Sequence, residues 1–443
     1  MIECCGYYSA IGAMNIMLSL RQHPLINTLV NLKGNPRASV YTEPMWGIPF
    51  NLYAPYASIY MLALGVNDAQ IGMIASLGML IQPIFAFLSG AITDKYGRRL
   101  TTLISDLLSW SIPCLIWAVA QDIRYFIVAV LFNAMWRIPH NSWTCLLVED
   151  ADEDQLVHIW TWIYIAGLLS GFFAPLAGVL IGVIDLVPAV RLLYLLAFVM
   201  MSLKAVVLYK FSTETQRGYI RMTETQDQPF FSLLGGYGGV FRKILQTPRT
   251  LVVVGIMLVM GIVSMINGTF WSILVTEKLG IPAEYLAIYP FAKSALLLLL
   301  YFVLVPRLNL RRFRNPMLLG FVGFLLSNLL LVTMPSGNYW LILLAVLFEA
   351  ISIAMFNPLM DSLTIVSINP EERARINAIL MMIVILLTSP FGWIAGQLSE
   401  LNRIFPFVLN IGLFLIGMVL VWLAWRLRPQ EQKTDASIAV AQA

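Results

Sequence analysis

The chain has 443 residues, of which 59% are hydrophobic and 12% are charged, and its formal net charge is +4. A soluble core cannot bury so large an apolar fraction, so this composition excludes an ordinary globular domain and makes the lipid bilayer a partner. The sequence holds three histidines, no phosphate-binding glycine–lysine loop and no nucleophile elbow. It therefore predicts no enzyme, no metal site and no cofactor.

Twelve apolar runs are long enough to cross a bilayer, and the alternating ten-residue segments of a β-barrel do not occur. The sequence therefore predicts an all-α membrane protein with twelve transmembrane helices. The runs cover residues 45–65, 70–90, 101–120, 124–148, 157–183, 188–208, 250–275, 284–305, 315–333, 338–365, 375–397 and 404–426. Residues 1–42 form an N-terminal arm, either an amphipathic surface helix or an extension upstream of a start at Met14 or Met17.

Lysine and arginine are unequally divided between the two sets of connecting loops. With the N-terminus inside, twenty-one lie on the cytoplasmic side and four on the outer side. The positive-inside rule then predicts that both termini are cytoplasmic. Because the positive charge is a topology signal, we predict no nucleic-acid partner. Short outer loops without a cleavable signal favour a bacterial plasma membrane.

The first run carries an asparagine and three tyrosines, and the tyrosines share one helical face. Tyrosine hydroxyls avoid lipid, so this face either lines a cavity or packs against another helix. The candidates for lining a substrate cavity are Asn51, Tyr53, Tyr56 and Tyr60, together with Asn267 and Trp271 of the seventh run.

The loop after the second run, residues 90–99, reads Gly-Ala-Ile-Thr-Asp-Lys-Tyr-Gly-Arg-Arg. Glycine tolerates the positive φ of a sharp turn, and the charged side chains stand close enough to pair. The pattern is formed by Gly90, Asp94, Lys95, Gly97, Arg98 and Arg99. It resembles the major facilitator superfamily, and the resemblance implies a secondary transporter of two pseudo-symmetric six-helix bundles that works by alternating access. It also implies that this loop is a cytoplasmic latch, which breaks and re-forms as the protein rocks.

An acidic run follows the fourth apolar run, at 149–154, on the side where positive charge is the rule. We predict a salt bridge from Glu149 or Asp150 to Arg98, which the family resemblance also implies. The alternative is a solvated loop, in which an exposed pair contributes about 0–1 kcal/mol.

The chain repeats itself at an offset near 215 residues. Residues 64–66, Leu-Gly-Val, recur as Leu-Gly-Ile at 279–281, and Arg99 falls on Arg314. A near-constant offset indicates duplication. It predicts two bundles, 43–208 and 250–427, joined by a cytoplasmic linker, 209–249, and followed by a tail, 428–443. The second copy of the charged loop is degraded, because Asn309 replaces the acidic residue.

The fifth run contains a cluster of small residues around a proline, formed by Ser170, Ala174, Pro175 and Gly178. It resembles the pattern Gly-x-x-x-Gly-Pro-x-x-Gly-Gly of the superfamily's exporters, from which it departs at three positions. Small residues let helices approach closely, and the resemblance implies that this packing helps to seal the cytoplasm-facing halves during export.

Three ionisable residues lie near the middle of apolar runs, where a charge is costly and indicates function. Glu349 lies about 16 Å into the tenth run, Lys293 about 14 Å into the eighth and Arg137 about 20 Å into the fourth. We predict that Glu349 carries a proton and that Lys293 and Arg137 are cavity cations. A fixed Glu349–Lys293 pair that never titrates is the alternative.

The fourth run places Asn133, Arg137 and His140 on one helical face. The repeat makes Asn133 equivalent to Glu349, so we predict that both face the central cavity. Asp106, about 8 Å into the third run, is at a depth to contact His140, about 12 Å from the end of the fourth, as a structural pair.

The sequence thus predicts a monomeric, proton-coupled secondary transporter that exports an unidentified small molecule. The alternatives are a proton-coupled importer of a polar metabolite and, from a different class, a transport-dead membrane sensor or scaffold. Midplane charges count against the scaffold, which gains nothing from carrying them.

Overall fold

A computed structural model describes residues 24–230, 248–304, 307–308, 313–366 and 373–427, and these are helical with no strand among them. Two short helices, α1 (Pro24–Asn31) and α2 (Gly34–Thr42), precede six long ones: α3 (44–63), α4 (Asp68–Tyr96), α5 (Arg98–Ala118), α6 (123–148), α7 (153–184) and α8 (Leu186–Phe211). A short helix, α9 (Gln216–Thr225), precedes six more: α10 (248–278), α11 (Ala283–Val303), α12 (Arg314–Thr333), α13 (Tyr339–Val366), α14 (Arg373–Leu401) and α15 (Phe405–Arg426).

Ten of these helices are long and apolar enough to cross a membrane, counted over the described residues. The other two, α3 and α6, complete the predicted twelve, and each is interrupted by a short 3₁₀ turn. In α3 the turn contains Pro55, which has no N–H to donate to the helix. In α6 the turn is followed at once by Arg137, so part of the helix is polar and needs protein rather than lipid beside it. The prediction of an all-α, twelve-helix membrane protein is confirmed.

The long helices form two six-helix halves, α3–α8 and α10–α15. The halves meet mainly where α4 packs along α14 and where α7 packs along α11. Consecutive helices run in opposite directions, so the bundle has two ends. The loop end is the one that carries residues 90–99, and the far end is the opposite one.

The charged loop is shorter than the predicted hairpin, because α4 continues to Tyr96 and α5 begins at Arg98. Gly97 alone joins the two helices, with φ of +81°. A Cβ at Gly97 would also lie 2.5 Å from a carboxylate oxygen of Glu214. Glycine is therefore required here by both backbone angle and space. At Gly90, by contrast, a Cβ would meet no atom within 4 Å, and nothing in the packing explains a glycine.

The described part of the N-terminal arm, residues 24–42, packs against the first half. Helix α2 packs against α6, α7 and α8 and buries Ser39 and Val40. Its Asn35 accepts a hydrogen bond from the Thr213 backbone at 2.8 Å and donates one to Asp150 at 3.2 Å. Residues 1–23, which include both alternative start positions, lie outside the described part, as do linker residues 231–247, the second loop copy at 309–312 and the tail from residue 428.

Candidate functional site

A cavity of about 530 Å³ opens within the second half. Its volume lies within the range typical of small-molecule sites. The polar and aromatic residues of its wall include Asn267, Trp271, Tyr289, Lys293, Glu349 and Asn357. Helices α10, α11 and α13 supply these side chains. The fold thus brings together four residues that were predicted as cavity residues on three separate apolar runs: Asn267, Trp271, Lys293 and Glu349.

The charged pair of this cavity is Lys293 and Glu349. The ammonium nitrogen of Lys293 lies 3.3 and 3.4 Å from the two carboxylate oxygens of Glu349. Each residue is about 15 Å from the start of its helix, near the middle of the membrane. Pairing offsets part of the cost of holding two charges at that depth. The lysine side chain is 33% exposed and the glutamate 14%, so the lysine is the more accessible of the two.

The orientation of Asn267 is fixed by Asn410, which also contacts Asn328; neither of these two asparagines was predicted from the sequence. The amide nitrogen of Asn410 donates to the Asn267 carbonyl oxygen at 3.0 Å and to the Asn328 carbonyl oxygen at 3.3 Å. Asn328 and Asn410 are buried. Amides within otherwise apolar runs were the signal that could have revealed them, because a buried amide needs partners.

At the loop end, Arg98 is the centre of a buried ion network. Its guanidinium lies 3.0 Å from Glu149 and 3.2 Å from Asp94, and the residue is 3% exposed. The predicted Arg98–Glu149 contact is therefore present. Asp150 instead accepts hydrogen bonds from Asn35 and from the backbone of Gln216.

The start of the linker fastens the same loop. The Glu214 carboxylate accepts hydrogen bonds from the backbone N–H groups of Arg98 and Arg99, both at 3.0 Å. These are unsatisfied donors at the positive end of helix α5, and a carboxylate is their natural partner. The Arg99 guanidinium also lies 4.0 Å over the Tyr209 ring. Glu214 was not predicted from the sequence, because it lies beside the start of α5 in space but 116 residues from Arg98 in the chain.

Helix α9 of the linker adds two further contacts. Arg221 donates to Asp94 at 2.9 Å, and Lys95 donates to the backbone oxygen of Gln228 at 2.7 Å. The hydrogen bonds to Asp94 and to Glu224 raise the pKa of Arg221 above its ordinary value. The four charged residues of the pattern, Asp94, Lys95, Arg98 and Arg99, thus contact the first half and the linker, within the described part of the chain.

At the far end the two halves are joined by close backbone contact between α4 and α14. A Cβ at Gly72 would overlap the Gly392 carbonyl oxygen and the Gly396 backbone. Nearby, the Trp393 backbone N–H donates to the Ser76 hydroxyl at 2.6 Å. Glycines allow this approach because they carry no side chain.

Polar contacts seal the same end. Asp68 of the first half accepts hydrogen bonds from Ser399 and, at 3.3 Å, from Arg403 of the second half. The Arg403 guanidinium also lies 3.3 Å from Glu277. Asp68 is buried, with 4% exposure. We name Asp68, Ser399 and Arg403 the far-end seal; no pattern in the sequence predicted it.

The family model described as Major Facilitator Superfamily matches residues 46–383 and 307–441. The chain belongs to this superfamily. Its fold is similar to that of a mutant of the nucleoside transporter NupG, with a TM-score of 0.70 and 15% identity over 88% of this chain and 99% of that one. It is also similar to the POT family transporter PepTSo, with a TM-score of 0.65 and 11% identity over 88% and 97% of the two chains. No curated protein matches the sequence.

In this superfamily member the small-residue cluster of α7 lies against both halves. A Cβ at Gly178 would overlap the backbone of Glu284 on α11, whereas the Ser170 hydroxyl lies against Gly47 of the first half. Ala174 is fully buried. Close packing is therefore present on α7, and the contact with the second half is made where α11 begins, at the far end.

Two residues of α6 that were predicted to face the cavity have partners within the first half. The amide of Asn133 donates to the Ser109 backbone oxygen of α5 at 2.9 Å. Arg137 donates to Gln82 at 3.1 Å and lies 4.0 Å over the Trp136 ring. Neither residue is in the wall of the cavity that holds Lys293 and Glu349, which consists of second-half residues.

The predicted Asp106–His140 contact is wrong. Asp106 forms a buried ion pair with Lys204 of α8, at 3.0 Å, whereas the His140 ring packs against the Trp136 ring at 5.5 Å. A lysine offers the carboxylate a full positive charge, which a neutral imidazole does not.

For the tyrosine face of the first run, the sequence left two alternatives: cavity lining and helix packing. Tyr53, Tyr56 and Tyr60 are at most 4% exposed, and none of them is in the cavity wall. Tyr53 and Tyr60 pack against Tyr194 of the first half, whereas Tyr56 lies beside the Ala287 backbone of the second half. The Tyr60 hydroxyl donates to the Trp117 backbone oxygen at 2.9 Å. Asn51 donates to a backbone oxygen of its own helix at 2.8 Å. The packing alternative therefore describes this face.

Proposed function

We propose that this superfamily member is a proton-coupled secondary transporter that moves a small polar molecule by alternating access. The observation that supports this most directly is the midplane cavity whose wall contains the Lys293–Glu349 pair. A cavity of that size holding paired charges suits a solute with both polar and aromatic parts, because Trp271 and Tyr289 stand in the same wall.

The pair offers a simple coupling scheme. When Glu349 is ionised it holds Lys293, and when it takes up a proton it releases the ammonium to bind an acceptor group of the solute. A proton and the solute then act together on one pair, and each changes the affinity for the other. The alternative, a pair that never titrates, would make the lysine a fixed positive charge.

We propose that the far-end seal breaks when the transporter reorients, and that the charged loop is the latch of the loop end. The described contacts correspond to a state in which the far end is closed. Its hydrogen bonds and glycine contacts exist only while α4 and α14 are together, so even a modest energy biases the equilibrium between states.

We place the loop end and both termini in the cytoplasm of a plasma membrane, on the charge distribution, and we propose that the protein is a monomer. The small-residue cluster of α7 favours export; import of a polar metabolite is the alternative. Two of the neighbours are named as nucleoside and peptide transporters, and these classes begin the list of solutes to test.

Reconstitution into liposomes that contain a pH dye tests this function. We expect one of a panel of nucleosides, dipeptides and cationic amphiphiles to drive proton movement in the wild type. Glu349→Gln should abolish this proton movement while leaving solute exchange across equal concentrations. The control is Asp227→Asn, which neutralises an exposed linker carboxylate. Unchanged proton movement in Glu349→Gln would remove this residue from the coupling. Orientation-sorted vesicles distinguish export from import.

A further inference from the structure

A second, smaller cavity of about 130 Å³ lies inside the first half, between α3, α5, α6 and α8. Its wall contains two carboxylates, Glu43 and Asp106, and one ammonium, Lys204. The remaining side chains are Pro139, His140 and four tryptophans: Trp46, Trp110, Trp136 and Trp143. This cavity shares no residue with the one that holds Lys293 and Glu349.

The charges of this cavity do not balance. Lys204 and Asp106, both 6% exposed, form an ion pair at 3.0 Å. Glu43 also faces the cavity, and no hydrogen bond or ion pair of its carboxylate occurs among the described residues. With both carboxylates ionised, the site would hold one excess negative charge among indole rings, at a high cost in free energy.

Four tryptophan rings line the cavity and make the surroundings of this charge largely apolar. The Trp110 ring packs against Trp46 at 5.1 Å and against Trp136 at 6.4 Å. The Lys204 ammonium lies 5.8 Å over the Trp143 ring. His140 both lines the cavity and is exposed on its other side. It therefore offers a path by which a proton can reach the interior.

We propose that this cavity is a proton-binding site in which Glu43 takes up one proton while Lys204 stays paired with Asp106. This rests on the proposed function to the extent that the proton bound here would be a coupling ion. Binding converts the Glu43 carboxylate to the neutral acid and leaves the site without net charge. The protein then has a proton site in the first half in addition to the Lys293–Glu349 pair of the second half.

A proton fits this site better than a metal cation does. A hard cation needs about six oxygen ligands, whereas the side chains of this wall supply only the two carboxylates, one of them already paired. Indole and imidazole rings contribute no oxygen. A proton needs a single oxygen, and 130 Å³ is enough for the acid and a few waters.

Other ionisable groups near Glu43 are committed elsewhere. On α7, which packs against α3, the His158 ring is hydrogen-bonded to the Thr28 hydroxyl at 2.9 Å. On α2, the Arg37 guanidinium lies over the Tyr41 ring. The groups that face Glu43 across the cavity are thus Asp106 on α5, Lys204 on α8 and His140 on α6.

Tryptophan fluorescence of the full-length protein in lipid nanodiscs tests this site without a known solute. Four of the twelve tryptophans line the cavity, so uptake of a proton beside them should change their emission. We expect a fluorescence transition with pH in the wild type, the loss of most of its amplitude in Glu43→Gln, and its retention in Asp227→Asn and Glu349→Gln. A Glu43→Gln titration identical to that of the wild type would overturn the proposal.

A second pair of variants keeps the test decisive if Glu43→Gln does not fold. Trp46→Phe and Trp143→Phe remove two reporters and should each reduce the amplitude while leaving the midpoint in place; unchanged amplitude in both would reject the site. Replacing choline chloride by sodium chloride at constant pH should have no effect, and a sodium-dependent change would assign the site to that ion instead.

Transport assays distinguish the proposed proton site at Glu43 from the proposed transport function. In vesicles, Glu43→Gln should still exchange solute but should not accumulate it under an imposed pH gradient. If wild-type vesicles move no solute, the proposed function fails, while the fluorescence titration still decides whether the first half binds a proton.

Discussion

At the scale of single residues, the protein keeps its charges deep in the membrane by pairing them. Lys204 and Asp106 are almost fully buried, Arg98 contacts two carboxylates, and Lys293 faces Glu349. These pairs differ in exposure, and this difference sorts their roles. A pair in which both side chains are almost fully buried, such as Lys204–Asp106, is structural, whereas the partly exposed Lys293 of the other pair is open to exchange with a solute.

The buried network around Arg98 predicts a loss of stability on a single substitution. Glu149→Gln leaves the guanidinium with Asp94 alone and should lower the free energy of unfolding by roughly 2–3 kcal/mol, because a charged hydrogen bond is lost out of contact with water. The control is Glu224→Gln, whose partner Arg221 is 39% exposed, and the expected change is about 0–1 kcal/mol. Thermal unfolding in detergent measures both, and equal shifts would contradict the burial argument.

The sequence predicts some residue contacts and not others for a physical reason. Arg98 and Glu149 follow from charge and topology, because both had to lie at the same end of the same half. The partner of Asp106 did not follow, since helical depth says how far a residue lies in the membrane but not which neighbour it faces. Glu214 and Asn410 were missed for the same reason: their contacts join elements distant in sequence.

At the scale of helices, the apolar runs predict the spans closely because length and hydropathy are what a bilayer requires. Helix α4 exceeds its predicted run by six residues at the loop end, where Asp94 and Lys95 are polar yet helical. Contacts with Arg221 and Gln228 of the linker stabilise these polar residues at the end of the helix. Hydropathy cannot foresee such an extension, because it does not register contacts with another segment.

Close packing of α4 on α14 predicts that a single methyl group will disturb the far end. Gly72→Ala places a Cβ against the backbone of Gly392 and Gly396, which cannot move aside as a side chain can. The far ends of the two helices should therefore separate. Spin labels at Asn67 and Asn402 should report a longer distance in this variant.

The matched control lies on the same helix. Gly90→Ala adds the same methyl group where no atom lies within 4 Å, and the distance between the labels should stay as in the wild type. Identical distances in the two variants would mean that the glycine contact does not hold the far end closed.

At the scale of the whole molecule, the two halves that the sequence repeat relates differ in chemistry. The second half has a cavity with one charged pair, whereas the first half has a smaller cavity lined by tryptophans, an ion pair and a further carboxylate. The repeat offset near 215 residues predicts which backbone positions of the two halves correspond. It did not predict that Asn133 would bond within its own half, because the partners of a side chain are not set by backbone correspondence.

The far-end seal predicts a shift in the balance between conformations. Asp68→Asn weakens the contacts to Ser399 and Arg403, and the loss of about 1.4 kcal/mol would change the ratio of closed to open forms tenfold. The same two spin labels measure these populations. Glu277→Gln is the control, because its contact with Arg403 is exposed and stays within the second half. A closed fraction that is unaffected by Asp68→Asn would exclude this aspartate from the seal.

The linker contacts described at the loop end also set the length of the covalent tether between the halves. Glu214, Arg221 and Gln228 bind the first part of the linker to the first half, so this part travels with that half as one rigid piece. The linker is about forty residues long in the sequence, but the tether between its last described contact with the first half, at Gln228, and Pro248 is only about half that length.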